Sequence, residues 1–401
     1  MKFGIIRERK NPPDRRVVLS PAECQNVLSH FPDAWIEVES SPIRVFTDDE
    51  YREKGIKVVN NMESCDVLLG VKEVPIYALI PHKSYFFFSH TIKKQPYNRE
   101  LLKAILEKNI ELYDHELITN PKGQRLVAFG RYAGLVGAYN GIRTYGLKFG
   151  LYELPKAERL KDQDALAQEL KKVKLPDIKI LLTGKGRVGQ GAREMLDAMG
   201  LKRVGVPEFI NDSFPQAVYC QIDASDYNKR KDGTRGNKAD FLKNPQDYQS
   251  NFFRFAKVTD LYIAGHFYGD GAPFLYTNED VAHPEFNIRV VADISCDIDG
   301  PVATTLRAST IADPIYGYDR NRGVETDYFD QRAIAVMAVD NLPCELPRDS
   351  STGFGQAFSK SVIPAFFNQD VDGILERARM TQNGKLTSRY AHLQAYVDGK
   401  D

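Results

Sequence analysis

The stretch Ile178 to Leu201, IKILLTGKGRVGQGAREMLDAMGL, decides how the rest of the chain is read. An apolar run is followed at once by Gly184, Gly186 and Gly189 in G-x-G-x-x-G spacing, and then by an amphipathic helical pattern. In that order each glycine has a physical task. The first permits a tight turn, the second lets a pyrophosphate approach the backbone, and the third lets helix and strand pack. The helix N-terminus adds amide donors, so Arg187 and Val188 join the three glycines as candidate dinucleotide contacts. An ordinary strand-to-helix turn is the competing reading. In such a unit an acidic residue about twenty positions on, at the end of the next strand, binds the adenosine ribose and favours NAD. Glu208, in KRVGVPEFIND, is the candidate; Pro207 and Arg203 beside it keep NADP open.

Working outward, the first hundred residues alternate apolar runs (KFGII, WIEVES, CDVLLGV, SYFFFSHT) with helical patterns, the last of them NRELLKAILEKNIELYDHE. That alternation predicts strands of a mostly parallel sheet with helices across it. Residues 133–154 place glycines at 134, 137, 141, 146 and 150 among apolar residues near helical spacing, which predicts a closely packed helix wedged between two domains, with a glycine-rich loop as the competing reading. Residues 155–176 read as a solvated surface helix, and 223–251, rich in Lys, Asp, Asn and Gly, as an insertion or long loop. LYIAGHF and IRVVADIS are further strands. The expected architecture is α/β: two Rossmann-like domains with parallel sheets separated by a cleft. The nucleotide domain, 137–344, is inserted into a discontinuous substrate domain formed by 1–136 and 345–401.

Bulk properties exclude several classes. The 401 residues carry 54 Lys plus Arg against 54 Asp plus Glu, so no net field gathers nucleic acid or an anionic membrane. The five cysteines are scattered singly, as expected of reduced thiols in a cytoplasmic protein. Neither a secretory leader nor a run long enough to span a bilayer is read in the sequence. The histidines form no HExxH or Cys/His pattern, so no metal is expected. A small amino acid is the expected partner, and the oligomeric state is left open.

Candidate catalytic groups lie at strand ends, where open α/β sheets bind ligands. Lys72 closes CDVLLGV beside Glu73, and burial there lowers a lysine's pKa toward that of a base. His90 closes SYFFFSH. Arg16 and Arg125 head apolar runs and have the fork that suits substrate carboxylates. Asp293 and Asp297 flank ADISCD, where a carboxylate meets a cofactor ring or a substrate ammonium, or merely caps a turn. For the lysine and the histidine, a capping or surface role is the competing reading.

Eight short segments, in order, carry a family likeness: ERKNPPDRRVVLSP (8–21), GVKEVP (70–75), FFSHTIKKQ (87–95), ELYDHELI (111–118), GQRLVAFGRYAG (123–134), LLTGKGRVGQGA (181–192), ADISCDIDG (292–300) and DNLPCELPRDSS (340–351). Together they resemble the alanine dehydrogenase and pyridine nucleotide transhydrogenase superfamily, and within it the saccharopine dehydrogenase and lysine-ketoglutarate reductase branch. The resemblance implies an active site in a cleft, with NAD accepting hydride from the carbon bearing saccharopine's secondary amine and water splitting the imine into lysine and 2-oxoglutarate. It implies Lys72 as the base and His90 as the acid-base group for imine hydration. It further implies tuning by Glu73 and Glu116, carboxylate binding by Arg16 and Arg125, and Asp297 near the nicotinamide. Alanine dehydrogenase activity, or a nucleotide sensor without turnover, are the rival expectations.

Overall fold

The computed structural model describes residues 1–400. The chain divides into two compact units, one made of Met1–Phe129 with Pro347–Asp401 and the other of Gly130–Leu346. Each has its own sheet, covered on both faces.

In the first unit six parallel strands are ordered β3-β2-β1-β4-β5-β6, with β1 Lys2–Ile5, β2 Trp35–Glu39, β3 Lys57–Val59, β4 Val67–Leu69, β5 Ser84–Phe87 and β6 Glu111–Asp114. Strand side chains alternate between faces. Val67, Leu69 and Phe86 join one core with Phe354 and Phe358, whereas Leu68, Tyr85 and Phe87 join another with Leu102 and Ile105. Two buried faces explain why these strands read as nearly continuous apolar runs. Helix α1 (Pro21–His30) starts at Ser20, whose hydroxyl accepts from the Glu23 amide, and α2 (Asp48–Glu53) starts at a Thr47–Glu50 capping box. The stretch 98–116, expected as one helix, instead splits into α3 (Arg99–Glu107) and strand β6. Asn109 at φ +51° ends the helical run, and the apolar positions of ELYD suit a strand buried in the sheet.

The second unit begins with the glycine-bearing helix α4 (Gly130–Phe149), followed by α5 (Gln163–Lys171). Its eight-stranded sheet is ordered β15-β14-β16-β13-β12-β7-β9-β8. The members are β7 Lys179–Thr183, β8 Lys202–Arg203, β9 Val218–Ile222, β12 Leu261–Ala264, β13 Val290–Asp293, β14 Ile315–Tyr318, β15 Glu325–Thr326 and β16 Ile334–Met337. β14 runs antiparallel to both of its neighbours, β15 and β16, so this sheet is mixed and not purely parallel as expected. Ile180 and Leu182 face a core shared with Leu135 and Tyr139 of α4, and Leu181 faces one shared with Phe252 and Phe255. The polar stretch 223–251 is not a bare loop. It folds as a hairpin, β10 (Asn228–Arg230) against β11 (Tyr248–Ser250), held by Tyr248, which donates 2.5 Å to Asp240 and packs on Phe241. Among the described residues no helix is long and apolar enough to cross a membrane, and all five cysteines are free.

Candidate active site

In the first unit the strand order reverses direction between β1 and β4, and ligands of open α/β sheets bind at such a switch point. Glu8 follows β1 and Lys72 follows β4. The Glu8 carboxyl accepts the amides of Val71 at 2.7 Å and Lys72 at 2.9 Å, fixing the backbone from which the lysine projects. Burial and the neighbouring Asp14 push Glu8 up to about 8, against the pull of those amides and of Arg16. Lys72 is itself held below the ordinary lysine range, by burial first and then by the charges of Arg16 and Lys10, with Glu73 and Asp14 opposing. A lysine so placed gives up its proton more readily than a solvated one.

His90 follows β5 with φ +54°, a left-handed conformation that turns the chain sharply at the strand end. Its Nδ1 lies 2.5 Å from Oε1 of Glu73, and Lys10 donates 2.8 Å to Oε2 of the same carboxylate. Burial raises Glu73, but the bonds from His90 and Lys10 outweigh it and bring the group down to about 2, so it is ionised at any ordinary pH. The ring is thereby oriented through Nδ1, which leaves Nε2 for chemistry. Beneath it, the amide and hydroxyl of Ser89 both bond to the buried Asp114, and Asp114 also accepts the Glu116 amide at 2.7 Å. Glu73 therefore joins His90 and Lys10 directly and acts on the charge of Lys72, its neighbour in the chain.

Two further expected residues pair with each other: Arg125 lies 3.2 Å from Glu116, which also has Lys93 at 3.7 Å. Arg16 is buried. Its Nε and Nη2 bond Asp14 at 3.0 and 2.6 Å, and its guanidinium stacks 4.3 Å from the Phe129 ring centroid. Glu8, Lys10 and Asp14 were not singled out by sequence reasoning, because in RERKNPPD they look like a solvated charge run. Position after the central strand β1 was the signal available.

In the second unit Gly184 follows β7 and Gly186 caps helix α6 (Arg187–Ala198). Gly184 has φ +94°, and a side chain there would strike the Gly265 carbonyl; one at Gly189 would sit 2.0 Å from the Gly184 carbonyl. At Gly186 the same direction is open space, as a cradle for phosphate needs. Gln221 ties the loop, donating 2.9 Å to the Gly184 carbonyl and 3.2 Å to that of Gly189. Beside it lies His266, missed in the sequence although it stands next to last in LYIAGHF. Its Nδ1 meets Thr183 Oγ1 at 3.0 Å, while the buried Nε2 has no partner. Burial holds its pKa down to about 4, so the ring is neutral. The open cradle and the orphaned nitrogen fit a dinucleotide.

The expected ribose-binding position needs correction. β8 is only two residues long and lies at the sheet edge, and Glu208 sits exposed on the short helix α7 (Val206–Asn211) beyond it. Pro207 suits the first turn of that helix and not a strand. The strand beside β7 is β9, followed by Asp223 and Asp226, and Lys185, Arg203 and Asp226 line a cavity of about 400 Å³ there. Asp297 is half-buried after β13, on the strand-end side where it was expected. Its neighbour Asp293 caps the turn, accepting from Ser295, Cys296 and Thr305. Among the described residues no group of three His, Cys, Asp or Glu side chains could hold a metal.

The chain is similar to several known proteins. Residues 4–136 match the alanine dehydrogenase/PNT N-terminal domain. The chain is 28% identical to the alpha-aminoadipic semialdehyde synthase of Arabidopsis thaliana over 97% of its own length, but spans only 41% of that protein. It is 26% identical to the saccharopine dehydrogenase (NAD+, L-lysine-forming) of Yarrowia lipolytica, covering 89% of this chain and 90% of the relative. An L-alanine dehydrogenase structure superposes over the full length of both chains with a TM-score of 0.64 at 17% identity, which bears out the two Rossmann-like units. The chain thus resembles the alanine dehydrogenase/PNT N-terminal domain over residues 4–136 and, over most of its length, the saccharopine dehydrogenases.

Proposed function

We propose that the protein is a nicotinamide-dependent oxidoreductase acting on the CH–NH bond of an amino acid, and that its reaction is saccharopine plus NAD and water to lysine, 2-oxoglutarate and NADH. One observation carries this reading: at the carboxyl ends of the first unit's strands a lysine of lowered pKa and a histidine share one ionised glutamate, which acts on the lysine's charge and orients the histidine ring.

Neutral Lys72 takes the proton of the substrate's secondary ammonium, freeing the nitrogen lone pair. Nicotinamide held at the glycine loop supplies the acceptor for the hydride leaving the adjacent carbon. Water then adds to the resulting imine carbon, with Nε2 of His90 removing its proton. Protonation of the nitrogen and loss of the carbinol hydroxyl proton, taken up by His90 or solvent, then break the C–N bond, giving the lysine amine and the 2-oxoglutarate ketone. Glu73 keeps His90 in register through Nδ1. Arg16 and Arg125, each steadied by its own carboxylate, hold the substrate carboxylates, and Asp297 faces the nicotinamide. Gly184, Gly186 and Gly189, with Arg187 and Val188 at the start of α6, receive the pyrophosphate.

NADP is the second cofactor reading, favoured by Lys185 and Arg203 at the cavity beside β9, since cationic side chains there accommodate a 2′-phosphate. Absorbance of reduced nicotinamide tests both readings with saccharopine, with lysine plus 2-oxoglutarate, and with alanine or pyruvate plus ammonium, each against NAD and NADP. Turnover of saccharopine is the expected result. Turnover with alanine alone would overturn the substrate assignment, and nucleotide binding without any turnover would make the protein a sensor.

A further inference from the structure

The unit that carries the glycine loop has a second polar cavity, of about 580 Å³, at the other edge of its sheet. Arg289 and Ala333 line it and stand immediately before β13 and β16, which run parallel to the sheet's central strands. Gly184 follows β7. The cavity therefore lies at the amino ends of the strands, opposite the dinucleotide loop.

Its lining is cationic. Arg289, Arg320, Arg322 and Arg332 face it together with Asp319 and Asp330. Asp319 is taken by Arg322 at 2.8 Å, and Asp330 accepts the Arg332 amide at 2.8 Å. Arg289, Arg320 and Arg332 make no ion pair with any described residue. Arg320 is pinned by the carbonyls of Val281, His283 and Phe286, the last at 2.6 Å. Arg289 is held by the Gln331 carbonyl, while its buried Nε has no partner. Burial lowers Arg320, and the charge of Arg289 lowers it further, with no carboxylate opposing. Lys148 is likewise brought down to about 8, by burial and then by Arg289.

We propose that Arg289, Arg320 and Arg332 form a binding site for a small phosphate-bearing anion, separate from the dinucleotide loop. Guanidinium groups that share a cavity and have no ion-pair partner repel one another, and a multivalent oxyanion between them turns that repulsion into several charge-assisted hydrogen bonds. Arginines from three chain segments suit a tetrahedral phosphate, whose oxygens point in several directions. The volume falls in the range of small-ligand pockets and exceeds inorganic phosphate, leaving room for a phosphorylated metabolite.

The test is calorimetric titration of the full chain with inorganic pyrophosphate at low ionic strength. Binding is expected to weaken about tenfold or more in Arg332→Glu, a change on an exposed side chain that leaves the thermal midpoint in place, and to survive in Arg332→Lys. Arg289→Gln should weaken it as well. Gly186→Val, which obstructs the dinucleotide cradle, should leave it unchanged. Absence of binding, equal binding in Arg332→Glu and Arg289→Gln, or loss in Gly186→Val would overturn the proposal.

Discussion

Lys72 differs from the chain's solvated lysines in being buried beside two other cations. If it is the base, activity in the oxidative direction should rise with pH through an apparent pKa below the ordinary lysine value, because only the neutral amine accepts a proton. Lys72→Met should lower kcat by about 10²- to 10⁴-fold while the nucleotide dissociation constant stays within a factor of about two; stopped-flow absorbance and calorimetry separate the two. Glu8 makes a stability prediction. Its folded-state pKa of about 8 lies above the unfolded carboxylate value, so its contribution is complete at acid pH and is lost as pH rises through about 8. Urea unfolding should accordingly show stability falling between about pH 5 and 8, with a shallower fall in Glu8→Gln. At this scale Lys72, Glu73 and His90 were legible because they close apolar runs, and a strand's carboxyl end is a physical address. Glu8 was not, since its importance comes from β1 lying next to β4, a pairing between segments more than sixty residues apart.

At the scale of elements, the glycines of α4 find their reason in α6. A side chain at Gly134 would stand 2.0 Å from the Val188 carbonyl, and one at Gly191 would stand 2.0 Å from that of Arg131, so the two helices meet backbone to backbone. Gly134→Ala should therefore destabilise the second unit by about 1–3 kcal/mol despite alanine's better helix propensity, as read by thermal or denaturant unfolding. Close packing of that helix was legible from small residues at helical spacing. The fate of 98–116 was not, because ELYD continues an apolar pattern that fits a helix or a strand until a neighbouring strand decides. Glu208 missed its expected strand end for a related reason. The strand that follows β7 along the chain is β8, at the sheet edge, whereas the strand beside β7 across the sheet is β9.

At the scale of the whole molecule, each unit has cores on both faces of its own sheet. The second unit is one continuous segment, Gly130–Leu346. Expressed alone it should unfold cooperatively and bind the nucleotide with an affinity within about tenfold of the full chain, as measured by calorimetry. Heat-induced aggregation of the fragment without a transition would count against its independence.

The first unit is different, because its final pieces come from the far end of the chain. Thr381 bridges strand β6, accepting from the Leu112 amide and donating to the Ile110 carbonyl, while Met380 donates to the Leu112 carbonyl and Phe354 and Phe358 fill the core. During synthesis residues 1–129 leave the ribosome before 130–346, yet must wait, unfinished, until more than two hundred others have been threaded past them. The segment synthesised in between can complete itself meanwhile. Of the two units, the one whose synthesis starts before the other is thus the one whose folding ends after it, and a chain stopped short of Thr381 would carry a finished second unit tethered to a first sheet with an unsealed edge.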